Sequence, residues 1–255
     1  MLTQAFPPWD QTPLVAAELM GSCARGTAIQ PLTDIDILAI FGDAGHGGAM
    51  LPSDSHEYVS RVRAQIAERT KIVPLGTLGR SVHVAYADPP GVCLTIALAA
   101  ASGGYAIPAA DGQWIRLNPA RQAQWSSARQ VRLANRYRQR VRTLKCWNRL
   151  HGSRLRSWQL EVMIGSMFAA MSADPRLDIT HFFAQAPNWI EVPDPGGGLR
   201  LSAGMSDADI EATRTLLCDA HIRAAQAVGA EARADRAGAL AMWRQLFGEA
   251  FRQRA

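Results

Sequence analysis

The 255-residue chain has almost no lysine: of 27 basic residues only Lys71 and Lys145 are lysines, and the rest are arginines. Arginine can carry a structural or an anion-binding role, so the bias alone selects no partner. Cysteine is scarce and scattered, at Cys23, Cys93, Cys146 and Cys218. No CxxC pair or Cys/His spacing of the zinc type occurs, which argues against a zinc module and for small buried thiols in a reducing compartment. No apolar stretch reaches membrane-spanning length. The longest, around VCLTIALAAASGGYAI, is interrupted by glycines and reads as a strand and its exit. The N-terminal MLTQAFPPWDQTP lacks a basic region followed by an apolar run, so no secretory signal is expected and a cytoplasmic, soluble protein without membrane attachment is the reading. Acidic residues are missing from two stretches that matter below: residues 121–150, and the strand beginning at Val92.

What is present suits a globular protein. Hydrophobic residues make up 48% and charged residues 19%, enough for a sizeable core. A formal charge of +5 suits an anionic ligand without requiring one. The organisation is mixed α/β first and helical afterwards, with a boundary near residue 120. Residues 14–20 read as a short helix or strand. TDIDILAIF, Thr33–Phe41, reads as a strand with one chemical face, because Asp34 and Asp36 alternate with Ile35 and Ile37. Residues 57–69 have helical spacing. Residues 81–98 read as a hairpin turning at Asp88-Pro89-Pro90-Gly91. Residues 107–119 read as loop. Residues 124–150 read as one long helix with Val131, Ala134, Tyr137, Val141 and Leu144 on a stripe. A second, more apolar helix follows over RSWQLEVMIGSMFAAM. PNWIEVPDPGGGLR reads as loop. Two last helices cover 206–228 and 235–251, the first opened by the SDAD start signal.

The chemistry concentrates in GSCARGTAIQPLTDIDIL, Gly21–Leu38. Aspartates at i and i+2 of a strand point to one face. Placed so, they repel unless a cation lies between them. Magnesium takes carboxylate and phosphate oxygens and commonly bridges protein to nucleotide. Gly21-Ser22 offers a tight turn whose backbone N–H groups a phosphate can approach. Arg25 and Thr27 are near enough to join that cradle.

This pattern resembles the polymerase-β-like nucleotidyltransferases, and within them the bacterial cGAS/DncV-like nucleotidyltransferases (CD-NTases), which make cyclic oligonucleotides in antiphage defence. GGYAIPAADGQWIRLNP, LKCWNRL, LRSWQLEVM, DPGGG and WRQLFGEAF continue the resemblance in order along the chain. It implies an α/β (α+β) nucleotidyltransferase core over residues 1–120 and a helical lobe over 121–255 that closes the nucleotide cleft. It implies that Gly21 and Ser22 contact a donor triphosphate, that Asp34 and Asp36 hold two magnesium ions (or manganese), and that Lys145 and Ser157 reach the phosphates. For these two the alternatives are a solvated helix lysine, which the LKCWN context disfavours, and a helix-start cap, which stands level. Glu161 would orient its neighbours. Tyr105 is a candidate for stacking on a base. Nucleoside triphosphates are the implied partners.

One part of the pattern is broken. Such a site uses a third acid on the neighbouring strand, and counting back from Gly103-Gly104-Tyr105 places Ala97 there. Asp88 is nine residues away, roughly 30 Å along an extended chain, and Asp111 lies in the following loop. Three explanations stand open: an inactivated variant, a degenerate nucleotide binder, or a site completed by another residue. Twenty residues precede Gly21, so a reduced N-terminal brace is expected. The basic run Arg121, Arg129, Arg132, Arg136, Arg138, Arg140, Arg142, Lys145 and Arg149 could serve nucleic-acid activation. A solvated basic face is the favoured reading, because no zinc module accompanies it and Trp125 and Trp147 read as core rather than as stacking platforms. A nucleotidyltransferase for a metabolite or antibiotic acceptor and a non-catalytic regulatory protein are the alternatives. The sequence does not fix the oligomeric state.

Overall fold

The computed structural model describes residues 13–42, 54–69, 74–77, 81–84, 90–99, 104–109, 111–196, 200–249 and 251. Asp88 and the last two glycines of DPGGG, Gly197 and Gly198, fall outside these residues, as do Lys71 and His46. The chain divides into two compact units, Met1–Arg121 and Gln122–Ala255.

The first unit is a sheet. Its strands are β1 (Leu14–Leu19), β2 (Asp34–Phe41), β3 (Pro74–Thr77), β4 (Ser81–Val84), β5 (Gly91–Ala99), β6 (Tyr105–Pro108) and β7 (Trp114–Leu117). The main order is β1-β2-β5-β4-β3, and β6 joins the far end of β5 and pairs with β7. Among the described residues only β2 and β5 run parallel, and the other pairs are antiparallel. Between β1 and β2 lies a single helical turn, α1 (Gly21–Arg25), and α2 is Ser55–Arg69.

The period-two pattern of β2 explains the layering. Ala39 and Phe41 share a core with Leu94, Ile96 and Leu98 of β5, Val82 and Val84 of β4, and the apolar side of α2 at Tyr58, Val59, Val62 and Ile66. The opposite face changes character along its length. Leu38, Ile40, Ala97 and Ile107 form a small apolar cluster. Asp34 and Asp36 occupy the same face of β2, nearer its start.

Residues 107–119 are not simply loop. The alternation in AIP and WIRL supports a β6–β7 hairpin turning at Asp111-Gly112, where Gly112 has φ +80°. Asp111 accepts a hydrogen bond from the Gln113 N–H (3.1 Å) and so belongs to this turn.

The second unit is helical: α3 (Pro119–Arg132), α4 (Tyr137–Leu150), α5 (Ser157–Met167), α6 (Pro175–Gln185), α7 (Asp207–Ala232) and α8 (Arg236–Phe247). The expected single helix over 124–150 is broken, because Ala134 and Asn135 take left-handed φ of 51° and 61°. The proposed stripe therefore fails at its start: Val131 is 75% exposed, whereas Tyr137, Val141 and Leu144 are buried. Sequence reading missed α6, whose start is marked by Asp174 accepting from the Arg176 N–H (2.9 Å) and by Pro175 in the first turn. The SDAD signal closes a reciprocal cap between Ser206 and Asp209 at the start of α7. Trp147 and Trp243 are buried in one core with Phe182, Phe183 and Leu217. No helix among the described residues is long and apolar enough to cross a membrane.

The arginine run has a structural use. Arg132 donates to the Phe168 carbonyl (3.0 Å) and Arg136 to the Met171 carbonyl (3.1 Å). Arg140 donates to Asp178 (2.7 Å) and to the Ser172 carbonyl (3.1 Å), and Asp178 also accepts from the Ser172 N–H (2.8 Å). Three guanidinium groups thus hold the α5–α6 connection. Arg140 and Asp178 are both buried, so removing one leaves a buried charge without its partner. Asp178→Ala is expected to destabilise the helical unit by about 3–5 kcal/mol. Urea unfolding followed by far-ultraviolet circular dichroism checks this.

Candidate functional site

The site begins with strand register. β1 and β2 pair with Leu19 opposite Ile37, and the Met20 N–H donates to the Asp36 carbonyl (2.9 Å). The next residue, Gly21, is thereby delivered to the Asp36 side chain. A Cβ built on Gly21 would collide with the Asp36 carboxylate, and Gly21 has φ +67°. Both facts select glycine. On the other side of β2, Asp34 lies opposite Gly91 of β5, and a Cβ there would sit 3.0 Å from the Asp34 Oδ1. Each aspartate is therefore bordered by a backbone that carries no side chain.

The turn after Gly21 braces itself. The Thr27 N–H donates to the Ser22 carbonyl (2.9 Å), and the Thr27 hydroxyl reaches the same oxygen (3.4 Å). Gly26 ends the helical turn at φ 69° and donates to Cys23. Thr27 is fully buried and Arg25 is 5% exposed, so these two build the frame of the turn rather than its accessible lip. Gly21 and Ser22 remain partly exposed.

Ala97 does not stand beside the aspartates. It pairs with Ile40, four positions beyond Asp36, and is wholly buried in the apolar cluster. The register partner of Asp36 is Cys93. Cys93 in turn lies opposite His83 of β4, with Sγ and Nε2 3.5 Å apart. Asp36, Cys93 and His83 therefore form one row across three strands. In the next row Thr95 faces Ser81, their hydroxyl oxygens 3.2 Å apart. Burial pushes the Cys93 thiol up; the Ser81 side chain opposes this, and the Asp36 and Asp34 charges add to it. Counting from the glycines missed Cys93 because that count passes through the exit of β5. Matching the start of β5 to the start of β2 would have found it. Nor are the cysteines buried: Cys23 and Cys93 are half-buried, and Cys146 and Cys218 are exposed.

The remaining candidates lie elsewhere. Tyr105 leaves from the β6 residue opposite Ala99, six strand positions past Cys93. Its hydroxyl donates to Glu18 of β1 (2.9 Å), a bond that pushes the phenol pKa up. In the helical unit, the Lys145 ammonium is 3.6 Å from Glu161, and both side chains are buried. Ser157 is the exposed first residue of α5 and does not cap it; there the Gln159 side chain accepts from the Arg156 N–H (3.2 Å).

The donor set limits what can bind. Among the described residues, no group of three or more histidine, cysteine or acidic side chains is placed to hold a metal ion. Asp34 and Asp36 together fit an ion that takes its other ligands from phosphate and water. They do not supply the extra oxygen that a second ion would need. Gly21→Ala is expected to destabilise the sheet unit by more than the roughly 1–2 kcal/mol of a left-handed non-glycine residue, since the carboxylate must also move. Chemical denaturation of the variant beside the parent chain checks this.

No family model matches the sequence, and no curated protein matches it. Solved structures do. CdnC of Escherichia coli MS115-1, determined with ATP, is 18% identical and superposes with a TM-score of 0.75 over 94% of this chain and 85% of its own. The same protein in complex with HORMA-deltaN gives 0.76 over 96% and 85%, also at 18% identity. The Vibrio cholerae DncV cyclic AMP-GMP synthase, determined with nonhydrolyzable GTP, gives 0.69 at 14% identity over 93% and 70%. The chain has the fold of these proteins.

Proposed function

We propose that this chain binds a nucleoside triphosphate together with a divalent cation at Asp34 and Asp36, in a centre of the nucleotidyltransferase type. The observation that carries the reading is the close approach of Gly21 to the Asp36 carboxylate, with Asp34 on the same face. A bare backbone turn beside a carboxylate pair offers phosphate oxygens a place next to the cation that they share with the protein. Ser22 follows Gly21 and adds a hydroxyl that can donate to phosphate. Magnesium is the natural ion for this oxygen set, with manganese as its substitute. When bound, the ion would offset the triphosphate charge. The chain's own residues hold the ion and shape the turn.

The fold shared with CdnC and DncV supports the reaction class. The parent chemistry of that class is attack of a ribose hydroxyl on the α-phosphate of a second nucleotide, with pyrophosphate leaving, to build a cyclic oligonucleotide; the residues of this chain support its triphosphate-holding half. A role in antiphage nucleotide signalling goes with this reading. Equilibrium binding of fluorescent ATP and GTP analogues, with magnesium and with a chelator, tests it. Chelation is expected to abolish tight binding, and Asp36→Asn to weaken it at least tenfold without loss of the folded state. Binding that is indifferent to both would sink the proposal.

A further inference from the structure

This inference rests on the nucleotide-holding reading of the same site and concerns how far that site can proceed. Adjacent strands lie about 4.8 Å apart, and directly paired residues share a face. The residue opposite Asp36 is therefore the one from which a third donor could share an ion with the pair. That residue is Cys93. The other positions on this face of β5 are excluded in turn. Gly91 has no side chain. Thr95 lies one row on, against Ser81. Ala97 is sealed in the apolar cluster. Beyond Cys93 the row continues to His83, not to an acid. Neither β4 nor β5 contains aspartate or glutamate.

A thiol and an imidazole are soft or borderline donors, whereas magnesium takes oxygen. Two divalent ions held close together also need negative charge around them to offset their repulsion. Among the described residues of this face, the two aspartates of β2 supply it at the site; the further carboxylate, Glu18 of β1, lies opposite Leu38 and accepts from the Tyr105 hydroxyl.

We propose that the centre takes a single divalent cation, carried in on the triphosphate, and holds the nucleotide without joining it to a second one, because Cys93 stands where a carboxylate would hold another ion. The protein is then a nucleotide-dependent binder built on a synthase fold, and the change from one to the other is confined to one residue on β5. Cys93→Asp supplies the missing oxygens between Asp36 and His83.

The test counts ions. Full-length chain is titrated with manganese in the presence of a nonhydrolysable ATP analogue, and bound ions are read by electron paramagnetic resonance. The expected result is one ion per bound nucleotide in the chain as it stands and two in Cys93→Asp. With hydrolysable ATP and GTP, the variant is expected to release pyrophosphate at least ~100-fold faster, the lower end of what a placed proton acceptor contributes. Two ions in the unaltered chain, or equal pyrophosphate release by both chains, overturns the proposal. Nucleotide affinity in the same titration reports whether the variant is folded. Should it not be, the count on the unaltered chain still decides, one ion supporting the inference and two refuting it. No nucleotide bound by the unaltered chain would refute the functional reading itself, and this inference with it.

Discussion

The acidic end of the sheet depends on one close approach, the backbone of Gly21 against the carboxylate of Asp36. It follows from the β1–β2 register, extended one step by the Met20 N–H on the Asp36 carbonyl. If β1 slipped by one residue, its side chains would exchange faces and the turn would miss the carboxylate. The parallel β2–β5 pair sets the other border, where Gly91 leaves room for Asp34. Two glycines far apart in sequence therefore serve one purpose. They let two like charges sit side by side, each flanked by a stretch of backbone that carries no side chain.

The helical unit uses charge differently. Arg132, Arg136 and Arg140 meet backbone carbonyls and one buried aspartate, holding a connection that lacks regular structure. A guanidinium can satisfy several acceptors at fixed angles, which a lysine ammonium cannot do in the same way. This gives the arginine-rich, acid-free stretch a physical reason. It also shows why a basic composition is a poor guide to partners when the charges are built into the framework.

Much of the first unit was legible. The alternation in TDIDILAIF placed β2 and its two faces, and the glycine-serine turn ahead of it was recognisable by composition. The β6–β7 hairpin was not, because its strands are four residues each and are punctuated by proline and glycine. The break between α3 and α4 was hidden by favourable helix periodicity, since nothing in Ala134 itself announces a left-handed backbone. The third position of the site failed for a deeper reason. Periodicity gives the face a residue points to, but register between strands is a property of the folded sheet. Ala97 and Cys93 share a face, and only pairing with β2 separates them. His83 was invisible for the same cause: it lies ten positions before Cys93 and meets it only across β4 and β5.

The cysteine opposite Asp36 also bears on how such a chain can change over generations. No single base substitution converts a cysteine codon into one for aspartate or glutamate. The shortest route to aspartate passes through glycine or tyrosine. Glycine in that row would leave a gap beside His83, and tyrosine would place a ring against a pair of carboxylates. A lineage with cysteine at this spot is separated from the acidic alternative by an intermediate that must itself fold and hold the row together.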